Sequence, residues 1–201
     1  SSPRAGVESL PAGWTVLGSP FVANLAGGQA AAISFTVASP GSALGGTVLN
    51  LTVRGTCAGS VAMAEARVEI TVRSVHSGAW RAQGTAVDAD ASGAASFEFT
   101  LENTGNVPER AEAQVLDAPP GFTVESDVWV GGLPSADVPA FGQGKVALRV
   151  QAPPEAPAGS YRLTVSLRAG ALDPLNLSLT VRLPPSYGLE ASFNVSGLEV
   201  G

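Results

Sequence analysis

The stretch from Ser96 to Leu101 alternates, with Phe97, Phe99 and Leu101 on one side and Ser96, Glu98 and Thr100 on the other. This is the period-2 pattern of a strand with one buried face. It runs into Asn103-Thr-Gly-Asn106, where Asn and Gly tolerate positive φ and short side chains satisfy the local backbone, so a turn is predicted. A second alternating stretch, AEAQVLDA, then leads into Pro119-Pro-Gly121 and a third strand from Phe122. Two further segments show the same spacing. Tyr161, Leu163, Val165 and Leu167 interleave with Arg162, Thr164 and Ser166, and Val48, Leu49, Leu51 and Val53 are set against Asn50, Thr52 and Arg54. No stretch sustains helical spacing, so the pattern predicts an all-β chain of short strands.

The pattern also repeats. Pro11-Ala-Gly13-Trp14-Thr-Val16 matches Pro119-Pro-Gly121-Phe122-Thr-Val124 at a shift of 108 residues, the segment from Ile33 matches that from Val146 at 113, and Val68–Arg73 matches Leu177–Arg182 at 109. The Pro-rich segments Ala38–Gly46 and Ala152–Gly159 fall in corresponding places and are predicted as loops, because Pro cannot donate to a sheet ladder. Strand, NTGN turn, strand and PPGF turn in this order resemble the immunoglobulin-like repeats found in tandem in bacterial and archaeal surface proteins, of the NEW3 and CARDB kind. The resemblance covers nearly the whole chain and implies an architecture without naming an activity.

The expected organisation is two tandem immunoglobulin-like β-sandwiches, the first incomplete, followed by a spare strand. Residues 1–73 form the incomplete sandwich, 74–185 the second sandwich, and 186–201 a C-terminal strand for another sandwich. Residue 1 aligns with residue 109, so repeat 1 is expected to lack its opening strands. The stretch Tyr187–Val200 is read as the opening strand of another repeat, with Gly188 in the place of Gly78.

Composition narrows the functional classes. Hydrophobic residues make up 45% and charged ones 14%, with 24 Gly and 15 Pro, which suits short strands and tight turns and argues against disorder. A net charge of −6 gives nucleic acid no electrostatic reason to bind. No apolar run approaches the ~20 residues of a spanning helix. The opening SSPRAGVESL lacks the pattern of a secretion signal. One cysteine, Cys57, precludes an internal disulfide. Asn50-Leu-Thr, Asn176-Leu-Ser and Asn194-Val-Ser use three of the six Asn as glycosylation sequons, which matter only in an exported protein. The expected location is therefore extracellular, at a cell surface, with N-glycans as attachments.

Candidate chemistry is sparse, and no catalytic, cofactor-binding or metal site is assigned. The single histidine, His76, falls in the linker between repeats and has no catalytic companion motif. Cys57 is read as a small packed residue in a loop. Asp88-Ala-Asp90-Ala-Ser92-Gly93 matches the start of a calcium loop, but its twelfth position is Phe99 where a bidentate Glu is required. Trp14 is read as core, and Trp80 and Trp129 as junction or surface residues. The remaining feature is the mismatch between a sandwich short of a strand and a strand without a sandwich. An uncovered sheet edge is a template for strand addition, and Leu189, Ala191, Phe193, Val195, Leu198 and Val200 are the expected donor residues. The partners implied are copies of the chain placed head to tail, or flanking repeats. The expected function is a structural part of an extracellular filament, sheath or surface layer. The alternative is a spacer module pair within a larger secreted glycosidase or protease.

Overall fold

The computed structural model describes residues 3–8, 10–18, 26, 28–30, 32, 34–57, 63–126, 129–130 and 132–185, the side chains of 3, 129 and 130 excepted. Asn194 and the donor residues Leu189, Ala191, Phe193, Val195, Leu198 and Val200 lie outside the described residues. Those described form strands and turns with no helix, in an all-β, immunoglobulin-like arrangement.

In repeat 1 the strands are β1 (Pro3–Glu8), β2 (Thr15–Leu17), β3 (Thr36–Ala38), β4 (Val48–Cys57) and β5 (Met63–Thr71). Repeat 2 begins with β6 (Gly78–Ala82), β7 (Ala86–Asp88), β8 (Ala94–Asn103) and β9 (Glu109–Asp117). It continues with β10 (Thr123–Glu125), β11 (Trp129–Val130), β12 (Leu133–Val138), β13 (Gln143–Gln151), β14 (Gly159–Ala169) and β15 (Leu175–Leu183).

Repeat 2 pairs its strands in the orders β10-β13-β8-β6 and β11-β12-β9-β14-β15-β7. The inward residues of both sheets, among them Phe97, Phe99, Leu101, Leu148, Leu163 and Leu179, pack into one core and are at most 2% exposed. β7 joins the edge of the second sheet by pairing in parallel with β15, although β6 just before it belongs to the first. The outward face of the first sheet is charged, with Arg81–Glu102 and Lys145–Glu98 pairs at 2.7 Å.

Repeat 1 carries a subset of this frame. The order β1-β4-β5 reproduces β9-β14-β15, and β2-β3 reproduces β10-β13. The equivalence holds at the level of residue pairs: Val16 faces Val37 as Val124 faces Val150. Among the described residues nothing takes the places of β6, β7 and β8. Leu49 and Leu51 are buried, but Val48 is 51% exposed. The sequence grouping of Val48 with Leu49, Leu51 and Val53 is therefore corrected: a strand alternates faces, so Val48 and Leu49 cannot share one. The pairings Leu49–Ile70 and Leu163–Leu179 make Leu49 the counterpart of Leu163. Cys57 is likewise not in a loop; it ends β4, opposite Pro3.

Candidate assembly site

Among the described residues nothing covers an apolar groove of about 320 Å³ between the two sheets of repeat 1, lined by Ala5, Val7, Leu10, Val16 and Phe35. Each lining side chain is only half-buried. Repeat 2 shows what the frame requires there: Leu148 and Val150, the counterparts of Phe35 and Val37, pair with Phe97 and Ala95 of β8 and are each 1% exposed. Among the described residues, the edge of β3 turned away from β2 has no paired strand. Groove and edge lie side by side, so a strand added to β3 would close the groove with its inward side chains. The outer face of the β1-β4-β5 sheet is polar at its centre, where Arg54 sits 2.7 Å from both Glu8 and Glu65.

The second built feature is the junction. The NTGN turn between β8 and β9 is not a free loop; it grips the linker from repeat 1. Asn106 Oδ1 accepts the Val75 N–H at 2.7 Å, Asn106 Nδ2 donates to the Arg73 carbonyl at 2.9 Å, and the Thr104 and Gly105 N–H groups both donate to the Ser77 carbonyl at 2.9 Å. Repeat 1 meets the same turn directly, through Gly45 N–H donating to the Asn106 carbonyl at 2.8 Å. The turn is held from below by Asn103, 2% exposed, which donates to the carbonyls of Val107 and Pro139 at 2.8 and 3.0 Å and accepts from Gly105 N–H at 2.9 Å. Gly105 has to be glycine because a Cβ there would overlap the Val75 carbonyl.

His76 completes the junction: its Nδ1 lies 2.5 Å from Oε1 of Glu109, whose side chain is 2% exposed. His76 thus ties the linker to the first residue of β9. Glu109 itself was not singled out from sequence. The signal was present, because Glu109 shares the parity of the inward residues Ala111 and Ala113.

The remaining candidates fall as follows. Asn50 and Asn176 sit in β4 and β15 with exposed side chains, the orientation a glycan needs. Asp90 is committed locally: its Oδ1 accepts from Ser92 N–H at 2.8 Å, Ser92 Oγ at 2.6 Å and Ala94 N–H at 3.0 Å. These bonds, the Ser92 hydroxyl first, hold its carboxyl below the usual range. Phe99 is fully buried in β8, so the twelfth position of a calcium loop is closed. Trp14 is half-buried after its Pro-Gly turn, as is Phe122, whose ring centroid stands 4.9 Å from that of Tyr161. Trp80 packs against the core of repeat 2. Trp129 pairs with Pro134 through its backbone.

No family model matches the chain, and no curated protein matches it. Among solved structures it is similar to a family 123 glycoside hydrolase from Clostridium perfringens at 8% identity, covering 50% of this chain and 22% of that one, with a TM-score of 0.39. It is similar to the periplasmic chaperone SfaE at 12% identity, covering 54% of this chain and 59% of that one, with a TM-score of 0.38. It also resembles a protein of unknown function from Porphyromonas gingivalis W83 at 14% identity, covering 91% of this chain and 86% of that one, with a TM-score of 0.37. The chain thus spans less than two thirds of the first two.

Proposed function

We propose that this chain is a structural, non-catalytic segment of an extracellular filament, sheath or surface layer, built from immunoglobulin-like repeats of the NEW3 and CARDB kind that join by strand exchange. The observation that carries the reading is the groove of repeat 1 beside the edge of β3 that no strand among the described residues pairs. An exposed strand edge offers main-chain donors and acceptors, and an apolar groove beside it offers pockets for alternate side chains, which together specify an incoming strand. A head-to-tail contact of this kind uses two different surfaces and does not close on itself, so it propagates into a fibre. The outward placement of Asn50 and Asn176 agrees with an exported, glycosylated surface.

The second reading, spacer modules of a larger secreted glycosidase or protease, is favoured by the gripped junction, because a fixed joint between repeats sets a separation whether or not the groove is used. Light scattering coupled to size exclusion, with negative-stain electron microscopy, separates the two. Strand exchange gives concentration-dependent polymers of the full chain. A chain that stays monomeric at every concentration leaves only the spacer.

A further inference from the structure

Repeat 1 has a place for a β8, and residues 186–201 contain a second version of β8. Ala191-Ser-Phe193-Asn-Val195-Ser196 aligns with Ala95-Ser-Phe97-Glu-Phe99-Thr100 at a shift of 96 residues, and Leu198-Glu199 then matches Leu101-Glu102 after one extra residue, Gly197. A single inserted glycine is how a strand accommodates a bulge and keeps its inward residues inward. This match is closer than that to the opening strand β6, and it has a different consequence. In repeat 2, β6 pairs with β8 and not with β13, so a β6-like strand alone would leave β3 unpaired, whereas a β8-like strand pairs with it directly.

We infer that residues 191–199 of a second copy of this chain occupy the groove of repeat 1 as its β8, antiparallel to β3, with Ala191 opposite Val37, Ser192 opposite Thr36 and Phe193 opposite Phe35. The inference rests on the strand-exchange reading and makes it specific. The register follows from repeat 2, where Ala95 faces Val150, Ser96 faces Arg149 and Phe97 faces Leu148, and from the equivalence of Val37 with Val150. Side-chain volume is traded across the joint. The incoming strand is slimmer, with Val195 in the place of Phe99, and the groove wall is bulkier, with Phe35 in the place of Leu148, as total core volume requires. Asn194 takes the place of Glu98, whose carboxylate points outward to Lys145 at 2.7 Å, so its sequon stays on the solvent side.

Reach excludes the chain's own strand. Leu183 pairs with Gly159 at one end of β14, whereas Gly170, just past the other end, lies against the junction residue Glu109. The donor would have to return along all eleven residues of β14, about 35 Å at ~3.3 Å per residue, before meeting repeat 1. The seven residues 184–190 span at most about 25 Å when fully extended.

Cysteine pairs read the register, in a Cys57→Ser background. Thr36 is exposed, and Ser192 takes the place of the exposed Ser96, so both replacements fall on the outer face. Opposed Cα atoms in an antiparallel pair lie ~4.5–5.5 Å apart, within disulfide range. Chains carrying Thr36→Cys, mixed with chains carrying Ser192→Cys, should cross-link into heterodimers under mild oxidation, and the double variant should give a ladder; Thr36→Cys with Asn194→Cys should not. Cross-linking at Asn194 instead, or polymers that persist without any cross-link, overturns the inference and leaves strand exchange standing. A cross-link within one chain overturns the second-copy assignment. Absence of both polymer and cross-link sinks the inference and the function together. As a second readout on the unmodified chain, a synthetic peptide of residues 189–200 should cap polymers and shorten them, and the same peptide carrying Phe193→Asp should not; equal effects of the two peptides would also overturn it.

Discussion

Gly45 and Asn106 touch backbone to backbone across the joint between the repeats: the Gly45 N–H donates to the Asn106 carbonyl at 2.8 Å, and a Cβ at Gly45 would stand 2.8 Å from Asn106 Oδ1 and 2.7 Å from Val107 Cγ1. Replacing Gly45 by Val should therefore push the repeats apart without entering either core. Asn106→Ala removes two side-chain hydrogen bonds to the linker, and because these are solvent-accessible the expected cost is about 1 kcal/mol. Small-angle scattering checks both: the pair-distance distribution should broaden while the melting of repeat 2 moves little. An unchanged distribution in Gly45→Val would mean that the contact does not set the joint.

Glu109 and Gly170 give a coupling test. Gly170 has a φ of 43°, and a Cβ there would overlap Glu109 Oε2, so Gly170→Ala both strains the backbone and displaces the carboxylate from His76. About 1–3 kcal/mol is expected from such a site. Glu109→Ala frees the space that the new methyl group needs, so the double variant should lose less than the sum of the singles. Urea unfolding of the four proteins measures this, and strict additivity would refute it.

Asp90 sets a pH dependence. Its carboxyl is held below the ordinary range by the Ser92 hydroxyl and the Ala94 and Ser92 N–H groups, so the folded state favours the ionised form. The stabilisation is present above the ordinary carboxylate pKa and is lost as pH falls through the lowered value. The gap in melting temperature between the unmodified protein and Asp90→Ala should be open at neutral pH and close in acid. Calcium should not widen that gap, since two carboxylates without the closing Glu supply too few of the ~6–8 oxygens the ion takes.

Phe193→Asp should abolish assembly by placing a carboxylate in an apolar groove, at a cost of several kcal/mol. Repeat 2, complete without that strand, should keep its melting transition. Polymers that survive the substitution would remove the strand from the assembly.

Asn50 and Asn176, on the outer faces of β4 and β15, should both carry glycans in native material. Peptide masses test this. Unmodified mass at every sequon would withdraw the support that glycosylation lends to an extracellular location.

Much of this frame was legible in the sequence because alternation survives wherever one face of a strand is buried, as from Phe97 to Leu101. The slip at Val48 shows the limit of reading faces from residue type: Val48 and Leu49 are both apolar, yet as neighbours in one strand they point to opposite faces, so Leu49 is buried and Val48 is exposed. The NTGN segment was legible as a turn but not as a grip, since its partners Arg73, Val75 and Ser77 lie some thirty residues earlier and are joined mostly through main-chain atoms, which leave no trace in residue type. Glu109 follows the alternation of Ala111 and Ala113, so its inward place was open to the same reading.

The parallel pairing of β7 with β15 sets how repeat 2 answers to tension. Under the proposed assembly a pull would enter repeat 2 at Ser77, pass through β6 in the first sheet and reach β7, whose neighbour β15 carries the exit at Leu183, so β7 and β15 would be drawn in opposite directions along their common axis. The bonds between them, with Thr180 N–H donating to the Thr85 carbonyl at 2.7 Å and Ala89 N–H to the Arg182 carbonyl at 2.8 Å, then lie across the line of force. They are loaded together in shear, where an antiparallel hairpin pulled from its open end would unzip one bond at a time.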